Sequence, residues 1–143
     1  MRHLLSEDDL ILKRDIESLE FPVSAFDHRT HLRLAYVYLT ENGPDIALKR
    51  MRTALNSLLL HIDIEPSTKY HETLTAAWIL AVYHFMNKAQ FCDSSDDLIS
   101  QYPIMLDSKI MMTHYSTEVL FSEKARRVFI EPNLDPIPRY ANC

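Results

Sequence analysis

His28 and His31 stand three residues apart, and His71 is followed at once by Glu72. Side chains at i and i+3 of a helix leave from one face, so the first pair can bring two imidazoles to one point. Imidazole nitrogen and carboxylate oxygen are donors that zinc, iron and manganese take. The expected chemistry is a divalent transition metal between two helices, with His28, His31 and His71 as ligands. Neighbouring residues diverge by about 100° around a helix, so His71 and Glu72 cannot both aim squarely at one centre. Glu72 is then a fourth ligand or a general base acting on metal-bound water. Tyr70 and Trp78 would bound a small organic substrate beside that centre, with the Tyr70 hydroxyl placed to donate to a ligand near His71. His114 is a reserve ligand.

The same residues admit a reading without metal. His31 can pack with Tyr38, and Glu72 near a helix start is favoured by the helix dipole alone. The histidines and Glu72 then form a satisfied buried polar network that fixes helix register in a non-catalytic interaction module. A small-molecule-binding regulator, which binds without turnover, is a third reading. Metal analysis of untagged protein separates the first from the others.

Other chemistries are excluded by what the chain lacks. Glycine occurs once, at Gly43, so neither a Gly-rich phosphate loop nor a dinucleotide fingerprint can be built. His71-Glu72 runs on into Thr73, Leu74 and Thr75, so there is no H-E-x-x-H. There is no G-x-S-x-G, and Ser116 with His114 is too local for a triad. Two cysteines, Cys92 and Cys143, make neither a metal spacing nor a disulfide framework. Lys and Arg total 15 against 20 Asp and Glu, a net charge of −5, which disfavours nucleic acid. The basic group Lys49, Arg50 and Arg52 reads as a solvated helix face. No apolar run approaches the ~20 residues of a membrane span, and the opening segment lacks an apolar signal core. No membrane partner is expected, and a reducing cytoplasm is the expected location.

The elements that must position these residues are helices. Of 143 residues, 47% are hydrophobic and 24% charged, the balance of one globular domain. Scarce glycine argues against hairpin-rich sheets. Ser6 with Glu7, Asp8 and Asp9 predicts a helix start. A second helix opens near Ser24 or Asp27, carries His28 and His31, and ends at Asn42-Gly43 with Gly43 as a left-handed cap. Pro44 opens a third helix, towards His61. A fourth begins after Ser67 or Thr68, is apolar around most of its circumference, and should lie centrally. It carries His71 and Glu72 in its first turns. Ser94 and Ser122 cap short helices, and Asp107 or Ser108 starts another. Residues 131–143 hold three prolines and form an extended tail on the body or on a neighbouring subunit. The expected fold is an all-α single-domain bundle of about five to seven helices. The apolar surplus and the tail suggest a homodimer.

Three blocks of this chain resemble a group of small bacterial all-helical proteins of similar length. Phe26-Asp27-His28-Arg29-Thr30-His31 is similar to their F-x-H-x-x-H start. Tyr70-His71-Glu72-Thr73-Leu74-Thr75 with Trp78 is similar to a YHET-x-T-x-x-W block. Tyr115-Ser116, Ala125-Arg126 and Pro132 to Pro138 resemble the close, with Asn133 where an acid is expected. The resemblance implies that His28, His31, His71 and Glu72 belong together, and attaches no activity to them.

Overall fold

Ser6, Asp27, Ser94 and Ser122 each precede a helix and turn a side-chain oxygen onto one of its first free amides. Those amides have no partner within the helix, so the helix starts are written locally in the sequence. The computed structural model describes residues 1–140, and Cys143 lies outside them. The helices are α1 (Glu7–Glu17), α2 (His28–Glu41), α3 (Pro44–His61), α4 (Pro66–Lys69), α5 (Glu72–Ala89), α6 (Ser95–Gln101), α7 (Thr117–Leu120) and α8 (Glu123–Arg127). Single 3-10 turns cover Val23–Ala25, Pro103–Leu106 and Ser108–Thr113. The result is a mostly helical single domain, 67% helix, as the sequence pattern expects.

The long helix α5 is the hub, packing against α2, α3, α6 and α8. Its small residues Ala76, Ala77 and Ala81 let neighbours approach, while Ile79, Val82 and Met86 fill the space between. Tyr36 and Tyr38 of α2 are wholly buried, and each finds an acceptor. Tyr36 donates to the Leu4 carbonyl at 2.6 Å and Tyr38 to Glu17 at 2.7 Å. Without those bonds the buried hydroxyls would be a net loss.

Three local expectations are corrected. Gly43 is not a left-handed cap. Its φ is −71° and it is the extended residue before α3, because Pro44 excludes helical geometry from the residue preceding it. Positive φ falls instead on Leu19, Asp63 and Gln90. The fourth predicted helix is broken into α4 and α5, with Tyr70 extended between them. His71 is therefore the cap of α5 and not a first-turn side chain. The third correction concerns the basic face of α3. Arg50 pairs with Glu41 and lies 4.2 Å over the Tyr38 ring, and Arg52 pairs with Glu72.

Two features were not foreshadowed. Strands β1 (Arg2–His3) and β2 (Phe91–Cys92) pair in parallel and tie the first residues to the end of α5. Asp9 is fully buried, and beyond its capping bond with Ser6 it accepts the Ser95 amide at 3.0 Å and the Ser95 hydroxyl. The tail lies along the body of its own chain. Leu134 and Asp135 amides donate to the His114 and Thr113 carbonyls, and Ile137 is buried. No helix among the described residues is long and apolar enough to cross a membrane.

Candidate functional site

The starts of α2 and α5 meet the C-terminal half of α3, the turn at Ser108–Thr113 and α7 around one cavity of about 670 Å³. That volume suits a small organic molecule. His28, His31, Tyr70, His71 and Trp78, five of the six residues that sequence reasoning singled out, line it. Leu55, Leu58, Leu59, Leu74, Met111 and Met112 are among its apolar lining. Glu72 does not line it.

The His71 ring is fully committed. Its Nδ1 accepts the Leu74 amide at 3.0 Å, capping α5, and its Nε2 lies 2.7 Å from the Leu120 carbonyl. A carbonyl only accepts and the Leu74 amide only donates. The ring is therefore neutral, with its proton on Nε2. Burial holds its pKa below the ordinary histidine value, and the nearby Arg126 adds to this. His28 gives its Nε2 proton to the Met105 carbonyl at 2.8 Å and stands edge-on to Trp78, centroids 4.6 Å apart. Only its Nδ1 remains.

His31 differs from both. Among the described residues nothing bonds either of its ring nitrogens. Its ring stands edge-on to Phe26, 6.4 Å away. Part of its surface opens onto the cavity, yet protein atoms crowd it closely enough that burial pushes its pKa down to about 4, with His28 adding to the effect. At neutral pH it is an uncharged imidazole with one N–H and one lone pair to offer.

Glu72, the first residue of α5, turns away from the cavity towards α3. Arg52 grips it with two bonds, Nε to Oε1 at 2.9 Å and Nη2 to Oε2 at 2.5 Å, and Tyr70 donates to Oε1 at 2.6 Å. Burial alone would raise the Glu72 pKa, but those bonds outweigh it and hold the carboxyl below its usual range. A carboxylate so satisfied is a poor base. The Tyr70 hydroxyl, expected to face a ligand, is spent on Glu72, and burial followed by that bond raises its pKa. An ion shared by His28, His31 and His71 would need a free lone pair from each, and His71 has none. No three His, Cys, Asp or Glu side chains among the described residues are grouped to hold a metal. His114 is engaged elsewhere, with the Asp135 carbonyl at 2.7 Å.

Sequence reasoning missed the partners. Arg52 was read as solvated, and the Leu120 and Met105 carbonyls carry no side-chain signature. Lys69 and Lys109, which also line the cavity, gave no signal in isolation. No family model, curated protein or solved structure matches this chain.

Proposed function

We propose that this protein is a binding module for a small, largely apolar molecule, held in the cavity between α2, α3 and α5. The observation that carries this reading is His31, an imidazole with both nitrogens unpaired that faces a mainly apolar cavity. The ring is half-buried and opens onto the cavity, so a ligand hydroxyl, carbonyl or amide can take up its free N–H or lone pair in a largely apolar surrounding, where such a bond counts for more than in open water. His28, His71 and Trp78 shape the cavity around that point. Glu72, Arg52 and Tyr70 brace its wall from behind, while His28 and His71 bond backbone carbonyls and not Glu72, unlike the shared His/Glu network of the non-catalytic alternative. The metal-dependent reading has less support, because His71 would have to surrender its helix cap to become a ligand.

The test is a screen of small organic molecules by thermal shift, followed by calorimetry on the hits. Binding should stabilise the native state in proportion to ligand concentration over Kd. Leu59→Trp, which crowds the cavity from the α3 side, should weaken the shift and keep the fold. Hits that bind this variant unchanged would refute the assignment. Near-stoichiometric zinc, iron or manganese in untagged protein, lost in His28→Ala/His31→Ala, would replace it with the metal reading.

A further inference from the structure

We infer that the ligand is an amphipathic carboxylate, with its apolar body in the cavity and its anionic head against Lys69 and Lys109. This rests on the reading of the cavity as a binding site and adds the chemical class of its occupant.

Charge sorting around the cavity carries the inference. The chain holds 20 acidic residues and a net charge of −5, yet no acid is among the described residues that line this cavity. Two lysines and three imidazoles line it instead. Lys69 ends α4 and Lys109 sits in the turn at Ser108–Thr113, so the two cations come from separate segments. Free lysines are ordinary on a surface. Two of them on one apolar cavity whose lining holds no acid put positive charge at its edge, even with the Asp107 carboxylate turned onto the Lys109 backbone amide at 3.0 Å. Neither ammonium forms an ion pair among the described residues, so both stay available to an anion.

The interior sets the rest of the ligand. His71 is locked neutral and His31 is kept neutral, so these two imidazoles bring no charge to the cavity, and His31 alone of the two has hydrogen bonds to offer. An anion gains most at the exposed lysines, with its apolar body inside. A phosphate head would ordinarily be met by arginine forks or a cradle of backbone amides in a Gly-rich loop. No arginine or glycine lines this cavity. A singly charged head facing two flexible point charges is the better match.

The natural reporter is Trp78, the one tryptophan of the chain, which lies in the cavity wall. Dodecanoate and dodecanol, each below its aggregation limit, would be titrated against wild type and Lys69→Met/Lys109→Met while Trp78 fluorescence is followed. Both lysines are exposed, so the double variant should fold, and circular dichroism checks this. Lys69→Gln/Lys109→Gln serves as a second pair. Rim ion pairs are individually modest, so the double variant should weaken dodecanoate about tenfold relative to dodecanol. Raising salt from about 20 mM to about 500 mM should weaken dodecanoate in wild type and leave dodecanol unchanged. If the ratio of the two affinities is the same in variant and wild type, the carboxylate assignment falls while dodecanol binding keeps the cavity reading intact. If neither probe perturbs Trp78 or the melting temperature, both readings fall together.

Discussion

The Nε2 proton of His71 points at the Leu120 carbonyl, 2.7 Å away, while the Nδ1 of the same ring closes the start of α5. One imidazole thus joins the central helix to α7 across 49 residues of sequence. The two bonds can be separated by substitution. In His71→Asn the shorter side chain can still accept the Leu74 amide but cannot reach Leu120. His71→Ala loses both. An N-cap is worth about 1 kcal/mol and a neutral hydrogen bond about as much, so Asn should cost about 1 kcal/mol and Ala about 2 kcal/mol. Urea denaturation reads both. Equal losses would show that the ring does not act as a cap.

The Arg52–Glu72 pair braces the cavity from behind, and the two side chains differ in exposure, 38% for Arg52 against 11% for Glu72. Removing Arg52 strands a carboxylate that is largely out of water, whereas removing Glu72 frees an arginine that can still reach solvent. Arg52→Ala should therefore destabilise more than Glu72→Ala. A double-mutant cycle should give a coupling of about 1–2 kcal/mol, below that of a fully buried pair because solvent screens Arg52. Tyr70→Phe should cost a further ~1 kcal/mol for the bond to Oε1. A coupling near zero would mean the fork is ornamental to stability.

The pH dependence follows from His31. Its proton binds near pH 6.5 in the unfolded chain and only near 4 in the fold, because burial and then His28 disfavour the cation. Between those values the unfolded chain holds more protons. The contribution of the neutral ring is therefore complete above pH 6.5 and is lost as pH falls towards 4. A fall from 6.5 to about 4 corresponds to about 3 kcal/mol, and about 2 kcal/mol is expected once the face open to the cavity is discounted. His71 titrates in the same direction, so the comparison must isolate His31. In His31→Phe the stability profile between pH 4 and 6.5 should be flatter than in wild type by that amount. Superimposable profiles would show that His31 is not held neutral by the fold.

What the sequence made legible was local. The caps at Ser6, Asp27, Ser94 and Ser122 act on amides three residues away, so Ser6, Ser94 and Ser122 stand out in the sequence and Asp27 is one of two candidates with Ser24. The central place of α5 followed from an apolar circumference with no polar face. The error at Gly43 came from weighing its freedom above the constraint that Pro44 imposes on its neighbour. The break at Tyr70 was invisible, because nothing in Ser67 to Tyr70 forbids helix. That break changed His71 from a candidate ligand into a cap. His28, His31 and His71 do share one cavity, but what each nitrogen does depends on the Met105 and Leu120 carbonyls, and backbone acceptors leave no trace in residue type.

Asp9 supplies the last test, since one acid binds two distant helix starts. It is fully buried, caps α1 together with Ser6, and accepts the Ser95 amide and hydroxyl at the start of α6, while Arg33 approaches it at 3.5 Å. Four donors meet two carboxylate oxygens. Asparagine keeps the shape but offers one oxygen, and turns an NH2 group towards at least one donor. Asp9→Asn should therefore cost about 3 kcal/mol, the scale for a buried charged acceptor whose donors are left unpaired. None of Asp9, Arg33 and Ser95 lines the cavity, so ligand affinity per folded molecule should be unchanged. The Ser95 amide should exchange with deuterium faster in Asp9→Asn while the middle of α5 stays protected, because the loss is confined to the junction of α1 and α6. A variant as stable as wild type would show that the carboxylate charge is not what holds that junction closed.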